Sequence, residues 1–199
     1  MKKIDLYTIT GVSGAGKSTL AEVMCKDYGF TETISHTTRV PREGEITEKT
    51  AKENEKIAYF FITKAIFRRM ENLGEFIESV TFGDNKYGVH KSQVLNYSEK
   101  SKIVIVVEPE GARQIKAWAK KNSSEEKSIC VTSVLLNISE DTQIKRMRLR
   151  GDKPKDIAKR LEDDNIRERI EIDNFDLILN AEKLSAEKIA AITVSLIEE

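Results

Sequence analysis

A glycine-rich segment that contains a lysine and a serine is the feature of the sequence with the clearest chemistry. Residues 11–18 read Gly-Val-Ser-Gly-Ala-Gly-Lys-Ser and match G-x-x-x-x-G-K-[ST] at every defined position. A strand is predicted before this segment, over residues 4–10, and a helix over 17–27. Glycines let backbone N–H groups wrap a phosphate chain, and the helix N-terminus adds partial positive charge. The motif therefore predicts a site for ATP or GTP.

Two side chains at the end of this motif have more specific predicted roles. Lys17 can reach the β- and γ-phosphates, and the hydroxyl of Ser18 can bind Mg²⁺. We therefore expect Mg²⁺ as the cofactor that accompanies the nucleotide. A glycine and serine turn without a ligand is the competing interpretation, which the full motif between a strand and a helix disfavours. The residues of this loop expected to contact ATP are Gly11, Ser13, Gly14, Ala15, Gly16, Lys17, Ser18 and Thr19.

A second segment carries two arginines around a proline. Residues 35–45 read Ser-His-Thr-Thr-Arg-Val-Pro-Arg-Glu-Gly-Glu, so Arg39 and Arg42 lie on backbone that Pro41 stiffens. Two guanidinium groups at this spacing can grip a second phosphate group bidentately. A solvated surface loop with chance arginines is the competing interpretation, and the residues alone do not separate the two.

Three more arginines alternate near the end of a predicted helix over residues 140–149. Arg146 and Arg150 share one face of that helix because they are four positions apart, whereas Arg148 points away. Phosphoryl transfer needs neutralisation of charge, which such arginines can supply. A solvated basic face is the alternative interpretation, and we assign it to Arg148.

These groups depend on elements that alternate along the chain. Further strands are predicted over residues 57–63, 76–82, 102–107, 128–136 and 175–179, and helices over 64–73, 110–121, 140–149, 154–169 and 185–197. This alternation predicts an α/β fold with a mainly parallel sheet flanked by helices. Between residues 35 and 89 the strand signals are more closely spaced, which favours a subdomain inserted after the first strand and helix.

The composition excludes several function classes. The chain has 199 residues with 33 basic and 33 acidic side chains, and this balance argues against a nucleic-acid partner. Its longest aliphatic run, residues 103–107, is too short to cross a membrane, and no export signal precedes Asp5. We therefore expect a cytoplasmic protein without a membrane partner. Cys25 and Cys130 are expected to be reduced thiols without a function.

The phosphate loop and the arginine segment together resemble the guanylate kinase family. Later segments agree with that family in order and spacing, so the resemblance covers roughly residues 4–197. Residues 75–78 resemble E-F-I/L-E, 85–88 resemble N-Y-Y-G, and 108–112 resemble D-x-Q-G. Residues 146–151 resemble R-L-x-x-R-G with a distal R-L at 160–161, and 175–180 resemble Y-D-x-V-I-V-N.

This resemblance implies the P-loop NTPase fold in a single guanylate-kinase-like domain, residues 1–199. Its expected core comprises residues 1–34, 90–145 and 171–199, with a nucleoside-monophosphate-binding subdomain at about 35–89 and a lid at about 146–170. The implied activity is ATP-dependent phosphorylation of GMP or dGMP by direct in-line transfer, without a protein nucleophile. The implied partners are ATP and GMP or dGMP, and a monomer or homodimer is expected.

The family pattern also implies roles for individual residues. Those placed at the acceptor nucleotide are Ser35, Arg39, Arg42, Tyr59, Glu78, Tyr87 and Glu108. Ser35 and the two carboxylates would meet guanine, and the other four would bind the acceptor phosphate. Those expected to act in the transfer are Lys17, Arg39, Arg146, Arg150 and Arg160. Asn180 would lie near the adenine of ATP.

A carboxylate at Glu78 suits guanine. Guanine presents its N1–H and N2–H donors together and one carboxylate can accept both, whereas adenine presents an acceptor at N1. Within its predicted strand Glu78 shares a face with Phe76, Val80 and Phe82, and a carboxylate on an apolar stripe needs a partner. An exposed strand carboxylate is the alternative interpretation.

The sequence departs from the family pattern at three places. Val106 stands where the family usually has an aspartate that supports magnesium or the loop lysine, and Val89 stands where it has serine or threonine. The polar loop at residues 47–56 is longer than usual. Two consequences of Val106 are open: a lower activity, or replacement of the aspartate by Glu108, since positions two apart share a strand face.

Two other functions compete with the implied one. The same fold could phosphorylate another nucleoside monophosphate or a ribose phosphate, but retention of Ser35, Arg39, Arg42 and Glu78 weighs against this. A guanylate-kinase-like module could instead bind partner proteins without catalysis. Such modules typically have a degraded phosphate loop, whereas the loop at residues 11–18 is intact.

Overall fold

Strands and helices alternate along the chain in the computed structural model, which describes residues 2–42, 44–53, 55–96, 100–168 and 174–195. In chain order the elements are β1 (Lys2–Gly11), α1 (Lys17–Tyr28), β2 (Thr31–Glu32), β3 (His36–Thr37), β4 (Phe60–Phe61), α2 (Lys64–Asn72), β5 (Phe76–Phe82), β6 (Asn85–His90), α3 (Ser92–Leu95), β7 (Lys100–Val106), α4 (Pro109–Asn122), β8 (Lys127–Asn137), α5 (Glu140–Leu149), α6 (Pro154–Glu168), β9 (Leu177–Asn180) and α7 (Ala186–Ser195). Five strands form one parallel sheet, in the order β2-β7-β1-β8-β9. The predicted α/β class with a mainly parallel sheet is confirmed.

The centre of this sheet is apolar on both faces. In β7, Ile103, Val104 and Ile105 are fully buried, as expected for a parallel strand covered by helices on both sides. Val104 packs in the core cluster that also contains residues of α1 and α7. Ile103 and Ile105 pack in the opposite cluster, which contains residues of α4. The two-sided core therefore holds β1 and β7 side by side at the middle of the sheet.

The remaining four strands form a second sheet in the order β4-β3-β6-β5. β6 pairs antiparallel with both β3 and β5, and β3 pairs parallel with β4. Helix α2 covers this sheet through Phe67, which is fully buried and stacks on Phe76 with ring centroids 4.6 Å apart. The chain thus builds a separate sheet between β2 and β7, where the sequence predicts an inserted subdomain.

The prediction of a strand over residues 57–63 is mostly wrong. Only Phe60 and Phe61 pair as a strand, because the partner β3 offers just His36 and Thr37. The backbone N–H of Ala58 instead bonds to the carbonyl of Ile46 in the preceding polar loop. Aromatic and β-branched content signalled the strand, but the short partner limited it.

The last strand is also shifted, from the predicted residues 175–179 to Leu177–Asn180. Asp176 precedes the strand, and its carboxylate, rather than a backbone carbonyl, accepts the hydrogen bond from the N–H of Ser133 at 2.7 Å. The same carboxylate accepts from the hydroxyl of Ser133, also at 2.7 Å. The carboxylate therefore caps the start of the pairing between β8 and β9. The short elements β2, β3 and α3, and strand β6, were not predicted as elements.

Several predicted boundaries fall on residues outside the described ranges. These are the first residue of the domain, the ends of the helices predicted to reach residues 169 and 197, the boundary between lid and core at 170–171, and position 43 of the arginine segment. The division of the domain into core, subdomain and lid at the stated residues stays a prediction. Cys25 and Cys130 are free thiols, as expected. Among the described residues, no helix has both the length and the apolar character needed to cross a membrane.

Truncation of a central core side chain should destabilise the protein far more than the same change at the sheet edge. We expect Ile105→Ala in β7 to lower the free energy of unfolding by about 2–5 kcal/mol, since a buried cavity remains. Ile178→Ala in β9 is the matched control, because Ile178 is 47% exposed, and should cost less than about 1 kcal/mol. Urea denaturation followed by circular dichroism measures both; equal losses would contradict the two-sided core.

Candidate active site

The phosphate loop lies between the carboxyl end of β1 and the start of α1. Gly14 and Gly16 adopt left-handed backbone conformations, with φ of 80° and 97°, which side-chain-bearing residues rarely adopt. The Lys17 ammonium donates hydrogen bonds to the carbonyls of Gly11 at 2.6 Å and Val12 at 3.1 Å. The lysine therefore closes across the loop and places a positive charge where the motif predicts phosphate.

One cleft brings together most of the residues that the sequence predicts for the site. It is lined by residues of the phosphate loop, of the second sheet and of the segment after β7, as expected for a ligand site at the carboxyl ends of parallel strands. The predicted residues that line it are Ser13, Lys17, Ser35, Arg39, Arg42, Tyr59, Glu78, Tyr87, Glu108 and Arg160. ATP-side and acceptor-side residues thus share one space.

Arg39 is oriented by a carboxylate to which the sequence analysis gave no role. Its guanidinium donates two hydrogen bonds to Glu45, at 2.8 and 2.9 Å, and Glu45 also accepts from the backbone N–H of Arg42 at 2.7 Å. Burial disfavours the charged carboxylate, but these hydrogen bonds outweigh it and lower the pKa of Glu45. Glu45 is the last residue of the arginine segment, 35–45, and this position in the motif could have pointed to its role.

Two tyrosines complete the surroundings of Arg39. Its guanidinium carbon lies 5.3 Å from the centre of the Tyr59 ring, a distance suited to a cation–π contact. The rings of Tyr59 and Tyr87 are tilted against each other with centroids 5.9 Å apart. Burial raises the pKa of Tyr59, so its hydroxyl stays protonated and can donate a hydrogen bond.

Glu78 is the most unusual group in the cleft. It is 3% exposed, and its Oε2 atom is buried without a hydrogen-bond partner. Burial, and then the charge of Glu108, raise the pKa of Glu78 to about 8, although a hydrogen bond from the backbone N–H of Val89 acts in the opposite direction. Helix α4 passes so close that a Cβ on Gly111 would lie 3.0 Å from Oε2, so glycine makes room for the carboxyl group.

Arg146 lies outside this cleft. Its guanidinium donates to the carbonyls of Gly14 at 3.1 Å, Ala15 at 3.4 Å and Ala181 at 2.7 Å. It lines a second pocket on the other side of the phosphate loop, together with Thr19 and residues that precede and begin α7. Arg146 therefore joins the loop to the chain segment after β9.

Arg150 and Arg160 meet at Asp152, a residue that the sequence analysis did not single out. Arg150 forms a bidentate ion pair with this carboxylate, and its hydrogen bonds lower the pKa of Asp152. Arg160 lies 3.7 Å from the same carboxylate and also donates to the hydroxyl of Ser13 in the phosphate loop at 3.3 Å. Arg160 lines the cleft, whereas Arg150 is not among its lining residues and its side chain is half exposed.

The family model for guanylate kinase matches residues 3–198, almost the whole chain. The chain belongs to the guanylate kinase family. It is 34% identical over 160 residues to a guanylate kinase of Trichormus variabilis, which covers 79% of this chain and 72% of that one. With a guanylate kinase of Nitrosococcus oceani the identity is 30% over 177 residues, covering 88% and 79%.

Two further comparisons agree in family and fold. A guanylate kinase of Clostridioides difficile is 37% identical over 118 residues, and this match spans 58% of the present chain and about half, 54%, of that relative. A crystal structure of guanylate kinase from Anaplasma phagocytophilum superposes with a TM-score of 0.63 at 19% identity, over 99% of this chain and 85% of that one. That structure supports the P-loop NTPase fold.

Membership of the guanylate kinase family confirms the resemblance stated from the motifs. It supports an enzyme that phosphorylates GMP with ATP, and favours neither a ribose phosphate acceptor nor a non-catalytic binding module. Val106, which departs from the guanylate kinase pattern, lines the same cleft as Lys17 with an apolar side chain. Val89 is fully buried in the core, so its side chain offers the acceptor no polar contact.

The guanylate kinase pattern predicts Asn180 near adenine, and the structure gives its side chain a local partner. The Asn180 side-chain oxygen accepts from the backbone N–H groups of Glu182 at 3.0 Å and Lys183 at 3.1 Å. It thereby closes the turn after β9, while the next residue, Ala181, lines the second pocket. Contact of Asn180 with adenine stays a prediction.

Stability should depend on pH through Glu78. Because its folded pKa of about 8 exceeds the ordinary value of 4.5, the folded state retains a proton that the unfolded chain releases. The contribution of Glu78 to stability is therefore fully present below pH 4.5, its ordinary pKa, and is lost as the pH rises through its folded pKa of about 8. Between pH 5 and 8.5, the free energy of unfolding of the ligand-free wild type should fall by an amount on the order of 2–4 kcal/mol because of Glu78. In Glu78→Gln this decrease should be absent.

Urea titrations of both proteins at several pH values measure this difference. The control is Glu126→Gln, which changes an exposed carboxylate. Parallel pH curves for the wild type and Glu78→Gln would contradict the raised pKa.

Proposed function

We propose that the protein transfers the γ-phosphoryl group of ATP to GMP or dGMP and releases ADP with GDP or dGDP. The observation that carries this proposal is a buried carboxylate, Glu78, in the same cleft as the phosphate-loop lysine, Lys17. The arginines Arg39 and Arg42 line the same cleft and could bind an acceptor phosphate. One cleft thus offers groups for a base, for an acceptor phosphate and for the phosphates of a nucleotide.

Glu78 supplies selectivity for guanine in this proposal. Its Oε2 atom is unsatisfied in the ligand-free site, and guanine brings two N–H donors to one carboxylate. Adenine would leave this buried group unpaired, a loss that such sites use to reject the wrong ligand by up to ~10⁴-fold. The donors also favour the charged carboxylate, so guanine binding should lower the pKa of Glu78. Ser35 and Glu108, which line the same cleft, complete the proposed base site.

Arg39, Arg42, Tyr59 and Tyr87 are proposed to bind the acceptor phosphate. The fork of Arg39 is already held in a fixed orientation by Glu45, so little rotamer freedom is lost when phosphate binds. The two tyrosine hydroxyls can donate to phosphate oxygens, and Arg42 adds a second guanidinium at the same end of the cleft.

In the transfer, an oxygen of the acceptor phosphate forms a bond to the γ-phosphorus while the bond to the bridging oxygen of ADP breaks. Lys17 and Arg160 line the cleft and would neutralise the charge on the transferring group. Arg150 would join them by exchanging its partner Asp152 for a phosphate oxygen. No side chain has to act as a nucleophile, in agreement with the direct transfer expected from the family.

On the ATP side, the second pocket is proposed to take the adenosine part of ATP. Arg146 lines it and can stack on or bind the nucleotide, and Asn180 would approach adenine if its turn opens. The remaining loop residues would hold the phosphates through their backbone. ATP-dependent activity follows from the family, whereas these individual contacts are part of the proposal.

Magnesium is proposed to enter with ATP. Ser18 is the second residue of α1 and directly follows Lys17, so its hydroxyl is the side-chain donor proposed for the ion. Mg²⁺ takes most of its other ligands from phosphates and water in such sites. Among the described residues, no group of three or more histidine, cysteine or acidic side chains is arranged to hold a metal ion. When bound, the ion would offset phosphate charge. The cytoplasmic location and the monomeric or homodimeric state stay predictions.

A coupled ADP-release assay with Mg·ATP tests the proposed function. GMP, dGMP, IMP, AMP, CMP, UMP, dTMP and ribose 5-phosphate serve as acceptors. We expect turnover with GMP or dGMP and at least about 100-fold lower kcat/KM with AMP, because adenine leaves Glu78 unpaired. Comparable turnover with AMP would contradict the role of Glu78, and no turnover with any acceptor would contradict the activity.

Removal of the phosphate-loop lysine should abolish transfer without unfolding the protein. Lys17→Ala is expected to lower kcat by at least about 100-fold, because charge on the transferring phosphoryl group loses its nearest cation. Lys26→Ala removes an exposed lysine from the same helix and should leave turnover unchanged. The ADP-release assay measures the rates, and circular dichroism checks the folding. Near wild-type turnover in Lys17→Ala would contradict the role of Lys17 in the transfer.

A further inference from the structure

Two glutamine side chains outside the lining of the cleft bind the backbone on either side of the proposed base site. Gln93 belongs to α3 and binds the residue before Ser35, and Gln114 belongs to α4 and binds the residue after Glu78. In each case, the amide oxygen accepts from the backbone N–H and the amide nitrogen donates to the backbone carbonyl of the same residue. Neither glutamine has a role predicted from the sequence.

Gln93 joins the two places where the chain crosses between the sheets. Its Oε1 accepts from the backbone N–H of Ile34 and its Nε2 donates to the carbonyl of Ile34, both at 2.7 Å. Ile34 lies between β2 and β3, where the chain leaves the parallel sheet, and α3 follows β6, where the chain returns. One amide therefore fixes the residue next to Ser35 relative to the returning chain.

Gln114 takes the place of a neighbouring strand at the edge of the second sheet. β5 pairs with β6 on one side only, and on its other side Oε1 of Gln114 accepts from the N–H of Ser79 at 2.9 Å. Its Nε2 donates to the carbonyl of Ser79 at 3.2 Å and to Glu110 at 2.9 Å. The backbone after Glu78 is thus attached to the helix that covers the parallel sheet.

The same helix also shapes the carboxyl group of Glu78. Gly111, one turn before Gln114, leaves the space into which Oε2 of Glu78 extends. Successive turns of α4 therefore contact the side chain of Glu78 and the backbone of Ser79. A shift of β5 along α4 would break both contacts at once.

We infer that Gln93 and Gln114 are positioning residues of the base site, an inference that rests on the proposed function. Two hydrogen bonds from one planar amide, to the N–H and the C=O of the same residue, fix the position of that residue and the orientation of the two peptide groups that flank it. Ser35 and Glu78 are the side chains next to these peptide groups. Because small misplacements of binding groups are costly, loss of either amide should weaken recognition of guanine. The phosphate loop has no part in these contacts, so ATP binding should be unaffected.

The variants Gln93→Met and Gln114→Met test this inference because methionine keeps the length of the side chain and removes the amide. In each, we expect KM for GMP to rise about five- to tenfold, as for the loss of one or two hydrogen bonds, while KM for ATP changes less than about twofold. We also expect the preference for GMP over IMP, as a ratio of kcat/KM values, to fall at least about threefold. IMP lacks the 2-amino group that a well-placed Glu78 would bind.

This ratio separates positioning from general destabilisation. Both acceptors are measured on the same preparation, so a reduced folded fraction cancels in the ratio even if a variant folds poorly. Asn122→Leu on α4 is the control, because its amide bonds at 2.8 Å to the carbonyl of Trp118 in its own helix. It should leave both KM for GMP and the ratio unchanged.

The outcomes distinguish this inference from the proposed function. If the wild type uses GMP and both methionine variants retain its KM for GMP and its GMP-to-IMP ratio, the inference is overturned and the proposed function stands. Equal changes in the Asn122→Leu control would also overturn it. If the wild type neither binds GMP in calorimetry nor phosphorylates it, the proposed function fails, and the positioning role fails with it.

Discussion

The pairing of β1 on both of its edges is the constraint on which the site depends. β1 lies parallel to β7 on one side and to β8 on the other, and the ladder with β8 continues to Gly11. The buried aliphatic residues of β7 keep this arrangement in register by packing on both faces. The strand therefore delivers its last residue, and the glycine-rich turn behind it, at a fixed point. Lys17 closes across that turn through hydrogen bonds to the carbonyls of Gly11 and Val12.

The acceptor half of the cleft is held in a different way. The second sheet shares no strand with the parallel sheet, so no backbone ladder joins the two. Side chains make the connection instead, through the apolar cluster that contains both Ile77 of β5 and Ile105 of β7, and through the amides of Gln93 and Gln114. The apolar contacts are not directional, whereas the hydrogen bonds of the two amides are.

Charge in the ligand-free cleft is largely compensated within the protein. Glu45 occupies the fork of Arg39, and Asp152 occupies that of Arg150 and lies close to Arg160. These carboxylates hold the cations in extended, preorganised positions and reduce the repulsion between them. Glu78 is the opposite case, since its carboxyl is buried without a cation and its pKa is raised to about 8. The site therefore combines anion-binding groups that are already ordered with a base-binding group that is satisfied when a donor arrives.

The sequence by itself determined the parts that depend on local chemistry. The spacing of residues 11–18 predicted the loop between a strand and a helix, and alternating elements predicted the parallel sheet. The apolar run in β7 predicted burial on both faces, because local composition and burial are directly linked in a parallel strand. The motifs, together with the family that they resemble, named ten of the residues that line the cleft.

Tertiary structure decided what depends on partners distant in the sequence. The strand predicted over residues 57–63 shrank because β3 is short, and Arg146 turned to the far side of the phosphate loop because three carbonyls converge there. The roles of Glu45, Asp152 and the two glutamines depend on which backbone or side chain each one meets. A hydrogen bond is decided by distance and direction between groups, and for Gln93 and Gln114 these were set only when the two sheets came together.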